Sequence, residues 1–174
     1  MFGGEYNATL DDTGRISLPR RLRDAMEKNK VVITKGINLC LWVYTVEQWK
    51  TLEETIVAST NQFSARDLAF RRRIIGPNQE VDIDRQGRIL IPPTLRDYAG
   101  LSKDCIVLGQ HNCIEIWAED RYKAYQNDSE DDFKAGSEEF GRIIKERELG
   151  AYGNSPHSGT AGGDIGISRP EGQA

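Results

Sequence analysis

Apolar positions along the chain change period, and they do so in the same order twice. Residues 5–11 alternate as a strand would, and Arg15 to Leu18 alternate again as a returning strand. After Pro19 the period becomes helical: Leu22, Ala25 and Met26 fall on one side, which leaves Arg20, Arg21 and Arg23 on the outer side. Val31 to Thr34 and Leu39 to Tyr44 predict two more strands about a Gly36-Ile37-Asn38 turn. Thr45 with Gln48 then reads as a capping box that opens a helix burying Trp49, Leu52 and Ile56.

A polar connection over residues 58–63 leads to a second box, Ser64 with Asp67, and to a helix that stops at Gly76-Pro77. Strands follow at Val81 to Asp84, Arg88 to Ile91, Cys105 to Leu108 and Cys113 to Trp117, with a short helix carrying Leu95, Tyr98 and Ala99 among them. Gly109 to Asn112 reads as a turn. A helix from Glu119 carries Tyr122 and Tyr125. An amphipathic helix over about 131–149 then presents Phe133, Phe140, Ile143 and Ile144.

The second series is the first displaced by 73 residues. Asp11-Asp12-Thr13-Gly14-Arg15-Ile16 returns as Asp84-Arg85-Gln86-Gly87-Arg88-Ile89, each copy ending in a proline and then Leu-Arg-Asp. Lys30 and Lys103, Ile33 and Ile106, Gly36 and Gly109, and Cys40 and Cys113 keep the same offset without a gap. The chain is therefore an internal tandem duplication. In each copy a three-residue loop ends at Gly14 or Gly87, which suits a type I turn closed by a left-handed bulge glycine. Pro19 and Pro92 then end the strand and open a helix. A unit of roughly 50 residues buries little surface alone, so strand exchange between copies or subunits, and assembly into oligomers, are expected.

The fold class that results is α+β, mainly β. The expected organisation is repeat 1 over residues 5–47, a helical connection over 48–76, repeat 2 over 77–120, a C-terminal amphipathic helix over 121–150 and a disordered tail over 151–174. No run approaches the ~20 apolar residues of a membrane span, and no basic-then-apolar leader opens the chain, so a cytoplasmic location is expected.

Charge sharpens the picture once it is divided. The formal net charge is −4. Residues 1–117 carry 16 Lys and Arg against 15 Asp and Glu, whereas residues 118–149 carry 6 against 10. The acidity sits at the C-terminal end, so a basic face elsewhere can still meet phosphate. Arg71, Arg72 and Arg73 read either as a solvated face, with or without salt bridges to a neighbouring subunit, or as phosphate contacts.

No catalytic signature is present, and the two histidines offer little acid–base chemistry. No cofactor, small-molecule substrate or catalytic residue is expected. Cys105, His111 and Cys113 lack a fourth ligand, and no metal site is expected. What remains is Asp11 with Arg15 and Asp84 with Arg88, carboxylates placed across a tight turn from guanidinium groups they can orient. Taken alone, such a pair can also be a salt bridge that fixes hairpin register. Repetition of the pair, with Arg23 and Arg96 on the following helices, favours recognition: strands presenting arginines can enter a major groove or follow phosphates.

The opening Met1-Phe2, Gly4 and Tyr6, the Asp-x-x-Gly-Arg-Ile run ending in proline, the Leu-Arg-Asp after it, and their return 73 residues later resemble the MraZ family over about residues 1–145. The resemblance implies two SpoVT/AbrB-type domains, a pair of pseudo-symmetric swapped-hairpin or double-psi β-barrel repeats with flanking helices, and ring oligomers, commonly octamers. It implies a sequence-specific DNA-binding repressor of the division and cell-wall gene cluster, acting on repeated upstream boxes in double-stranded DNA and associated with the nucleoid. The family's Asp-x-x-x-Arg motif falls on Asp11 and Arg15 and on Asp84 and Arg88. DNA contact is thus expected from Arg15, Arg88, Arg20, Arg21 and Arg23, with Asp11 and Asp84 as orienting carboxylates and Gly14 and Gly87 as turn glycines. Thr13 and Gln86 stand where the family often has lysine, one positive charge fewer per motif. An assembly scaffold that binds no DNA, or an antitoxin-like module that binds protein, is the alternative.

Overall fold

The computed structural model describes residues 1–26 and 29–153. The tail expected over residues 151–174 lies outside the described residues from 154 onward. Two compact units divide the chain, one spanning Met1–Ser129 and the other beginning at Glu130.

The first unit is α+β with an antiparallel, six-stranded open sheet. Repeat 1 contributes β1 (Phe2–Thr9), β2 (Arg15–Ser17), α1 (Arg20–Arg23), β3 (Lys30–Lys35) and β4 (Leu41–Thr45), and α2 (Val46–Ser59) and α3 (Ala65–Ile74) lead out of it. Repeat 2 contributes β5 (Gln79–Asp82), β6 (Arg88–Leu90), α4 (Pro93–Ala99), β7 (Asp104–His111) and β8 (Cys113–Ala118), and α5 (Glu119–Asp128) follows it. The sheet order is β1-β7-β8-β4-β3-β5, and β2 pairs with β6 as a separate ribbon.

Exchanging each strand with its partner 73 residues away leaves that order unchanged, so the sheet carries a pseudo-two-fold axis. The axis passes where Trp42 faces Glu115 in the β4–β8 ladder and where Ile16 faces Ile89 in the ribbon. Opening strands cross over: β1 of repeat 1 lies on β7 of repeat 2, and β5 of repeat 2 lies on β3 of repeat 1. The opening strand of each copy therefore pairs with the other copy within one chain.

Alternation along the strands builds two layers around the sheet. Val31, Ile33, Leu41, Val43, Cys105, Val107, Ile114 and Ile116 point to one face and pack with Ile16, Ile89, Leu22 and Leu95 in a core drawn from both repeats. Val32 and Tyr44 point to the other face, where Trp49 and Ile56 of α2 and Ile74 of α3 cover them. Ile106 and Trp117 do the same under Tyr122 of α5. Thr34, the buried polar residue of this sheet, gives its hydroxyl proton to the Ile74 carbonyl at the end of α3. Trp42 and Trp117 each donate an indole N–H to Glu115, at 3.1 and 2.9 Å, so the half-buried carboxylate is satisfied on the axis.

Several local expectations shift once the long-range partners are in place. Gly109 is a strand residue, because β7 runs on to His111 with β1 beside it for all eight positions, and the reversal falls at His111 (φ 55°) and Asn112. β4 begins at Leu41 because Leu39 is in the left-handed region at φ 57°. α1 stops after one turn, since the chain must reach β3 by Lys30; Leu22 is buried, Met26 joins the core from the loop, and Ala25 is exposed. The Thr45–Gln48 box is complete, at 3.2 Å in both directions. In the other box only half forms: Ser64 accepts from the Asp67 amide, while the Asp67 carboxylate takes the Asn61 N–H at 3.0 Å.

The second unit is described as α6 (Glu130–Gly153), a helix separated from α5 by Ser129. Phe133, Phe140, Ile143 and Ile144 are exposed along it. Among the described residues no helix is long and apolar enough to cross a membrane.

Candidate nucleic-acid interface

Both motif turns fold by the same local chemistry. The Asp11 amide donates to the Arg15 carbonyl at 2.8 Å and the Gly14 amide to the Asp11 carbonyl at 2.9 Å; Asp84, Arg88 and Gly87 repeat this at 2.9 and 2.8 Å. Gly14 and Gly87 take φ of 82° and 78°, which only glycine adopts without strain. Each aspartate holds its turn from inside. Asp11 Oδ1 accepts from the Thr13 amide and hydroxyl and from the Arg15 amide, at 2.9, 2.6 and 2.9 Å. Asp84 Oδ1 accepts from the Gln86 and Arg88 amides, both at 2.9 Å.

The ribbon then joins the two turns. With Ile16 and Ile89 fully buried, the outer face carries Arg15 opposite Leu90 and Ser17 opposite Arg88. Leu18 donates its amide to the Gly87 carbonyl at 3.0 Å and Ile91 to Gly14 at 2.9 Å, so each turn is tied to the other repeat. Two motifs 73 residues apart thus form one surface.

Its two arginines are held differently. Arg88 Nε donates to Asp84 Oδ2 at 2.9 Å, and Arg88 Nη1 lies 3.6 Å from Asp11 Oδ2, so one guanidinium sits between the carboxylates of both motifs. The Arg15 guanidinium donates to the Thr13 hydroxyl at 3.0 Å and makes no ion pair among the described residues. Asp11 therefore meets Arg15 through the backbone and Arg88 through the side chain. Arg20 and Arg21 are exposed on α1, Arg20 lying 3.6 Å from Asp24.

Arg23 and Arg96 do something the linear pattern did not display. The Arg23 guanidinium covers Gly87 and the Arg96 guanidinium covers Gly14, so closely that a Cβ on either glycine would lie 2.0 or 2.6 Å from the nearest Nη1. The Nε atoms of both arginines are buried and have no hydrogen-bond partner among the described residues. Each arginine clamps the turn of the other repeat. The duplicated Leu-Arg-Asp was the visible signal. Gly14→Val or Gly87→Val is expected to destabilise the protein by about 2–3 kcal/mol, because a β-branched residue at positive φ is strained and also displaces the clamp. Thermal melts should show the loss, and a wild-type melting temperature would refute this turn geometry.

Asp11 and Asp84 have their acidities shifted in one direction. The Thr13 hydroxyl, then the Arg15 amide, holds Asp11 below the ordinary 3.8; the Arg88 amide, then its guanidinium, does so for Asp84. Since both folded-state values are depressed, the stabilisation is fully present above the unfolded value and is lost as pH falls through the lower, folded one. Below about pH 4 the wild type should lose more stability than an Asp11→Asn/Asp84→Asn variant. Parallel curves of melting temperature against pH would contradict it.

Cys40, Cys105 and Cys113 are buried free thiols that burial pushes up, to about 12, 11 and 11. Cys105 and Cys113 lie at opposite ends of the β7–β8 ladder. Among the described residues no group of histidine, cysteine and carboxylate side chains is placed to hold a metal ion.

The family described as "MraZ protein, putative antitoxin-like" matches residues 1–72 and 74–142. A relative from Treponema denticola named "Transcriptional regulator MraZ" is 44% identical over 140 residues, 80% of this chain and 97% of that one. Relatives of the same name are 47% identical in Treponema pallidum (79% of this chain, 92% of that one) and 39% identical in Natranaerobius thermophilus (80% and 96%).

Proposed function

The chain belongs to the MraZ family, and from that premise we propose that it is a sequence-specific DNA-binding transcriptional regulator, a repressor of the division and cell-wall gene cluster. It binds repeated boxes upstream of that cluster as a ring of identical subunits, an octamer by family resemblance, and associates with the nucleoid in the cytoplasm. Residues 5–47 and 77–120 act as its two repeats in a swapped-hairpin arrangement, with 48–76 as a helical connection and 121–150 as the C-terminal helical segment.

The observation that carries this reading is the β2–β6 ribbon, whose outer face presents Arg15 and Arg88 on a buried Ile16–Ile89 pivot. A two-stranded antiparallel ribbon fits a major groove, where guanidinium groups read guanine edges or hold phosphates. Arg15, whose guanidinium makes no ion pair among the described residues, is the leading contact; Arg88, already paired, is the secondary one, and Arg20 and Arg21 add positive charge beside the ribbon. Arg23 serves by holding the second turn.

The test is a gel shift with duplex DNA from upstream of the cluster against a scrambled duplex at equal salt. Preferential retention of the native duplex is the expected result. Equal or no retention would reject specific DNA binding and leave the protein-binding module, which the exposed apolar side of α6 favours as the second reading.

A further inference from the structure

We propose that the acid-edged, apolar-striped helix α6 of one copy docks into the basic groove beside α3 of a second copy, in a head-to-tail contact. This contact rests on the oligomeric reading above and assigns the surfaces that make it.

The receiving surface is a groove of about 540 Å³. Leu68, Arg71, Arg72 and Ile75 line it at the i, i+3, i+4, i+7 spacing of one helical face, and Phe63 of the preceding connection closes it. Phe63 is 87% exposed, more than an aromatic ring gains anything from in isolation. α3 carries four arginines and one aspartate. Arg66 turns to that aspartate at 3.5 Å, whereas Arg71 and Arg72 have no ion pair among the described residues.

The donor is complementary in shape and charge. Phe133, Phe140 and Ile144, spaced by seven and four, form one line along α6 with Ile143 beside it, and the two phenylalanines are 71% and 62% exposed. Asp132, Glu139 and Glu146 recur every seven residues and edge that line with carboxylates. Seven acidic residues stand against four basic ones over the helix. From Phe133 to Ile144 the stripe runs about 16 Å, and ten-residue α3 is about 15 Å long. Interior Gly136 and Gly141 have only open space around them, and glycine weakens a helix that packing does not support.

Each surface is exposed within its own unit, and every copy carries both. Pairing α6 with a second α6 would set like charges together, whereas α6 on α3 joins opposite ones. Because the two surfaces differ, the contact is heterologous, and such contacts close into rings when the rotation permits.

The test uses full chains and light scattering. A donor variant, Phe133→Ser/Phe140→Ser, and an acceptor variant, Phe63→Ser/Arg72→Glu, change only exposed residues, so their far-ultraviolet spectra should match the wild type. Wild type should assemble to several times 19.6 kDa. Each variant should fall to the mass of one chain, and an equal mixture should recover two chains, since one intact α6 can still meet one intact groove. If wild type assembles and both variants keep its mass, the α6–α3 contact is rejected while the oligomeric reading stands. If wild type runs as one chain, both are rejected. Single-chain variants whose mixture does not associate would reject the contact between copies.

Discussion

Arg15→Ala should lower affinity for the proposed upstream boxes by on the order of 10- to 100-fold per engaged subunit, with the melting temperature almost unchanged. A charge-assisted hydrogen bond contributes about 1.5–3 kcal/mol, and every 1.4 kcal/mol is a factor of ten. In the proposed ring, with several boxes engaged at once, the loss would multiply through avidity. The slope of log K against log salt should also flatten by about 0.9 for each phosphate contact removed, which separates a lost contact from a damaged fold. Arg88→Ala should behave in the opposite proportion. Its guanidinium is shared by Asp84 and Asp11 and is only a third exposed, so removing it leaves two carboxylates near each other and lowers stability, by up to about 1 kcal/mol for pairs this accessible. If Arg15→Ala kept wild-type affinity and salt slope while Arg88→Ala lost both, the assignment of the leading contact to repeat 1 would be abandoned.

Gly109→Val should be the most damaging single change to the fold. A Cβ at this position would lie 2.5 Å from the Gly3 nitrogen and 2.7 Å from its Cα, both backbone atoms of β1. No side chain can move aside to relieve that contact. Either β1 lifts from β7, losing part of an eight-residue ladder and exposing Phe2, or the sheet distorts along its edge. The expected loss is about 3 kcal/mol or more, roughly 6–12 °C in melting temperature for a chain of this size. Gly136→Ala provides the contrast. It meets open space within a helix and should be neutral or stabilising by up to ~1 kcal/mol. Equal melting temperatures for Gly109→Val and wild type would mean that β1 is not held where β7 places it.

Much of this architecture is set by interactions no longer than a helical turn, and those were legible in the chain. The bulge turns at Gly14 and Gly87 follow from a glycine at the third loop position and an aspartate that can accept from amides two and four residues on. The Thr45–Gln48 box follows from two side chains and two amides within three residues. The 73-residue offset exposed the duplication before any contact was known, and with it the equivalence of Arg23 and Arg96. Only the tertiary structure decided which copy each element serves. Both repeats offer the same alternating apolar strands and the same open turns, so β1 could satisfy its amides on β3 of its own repeat or on β7 of the other, and local pattern does not distinguish the two. Folding chose the crossed pairing. That choice put strand β1 against Gly109, laid Arg23 over Gly87 and Arg96 over Gly14, and placed the Arg88 guanidinium between Asp84 and Asp11, while the Arg15 guanidinium went to the Thr13 hydroxyl instead. The physical reason is that a duplicated sequence makes intra- and inter-repeat partners chemically equal, and only the shared core, filled by both copies at once, separates their energies.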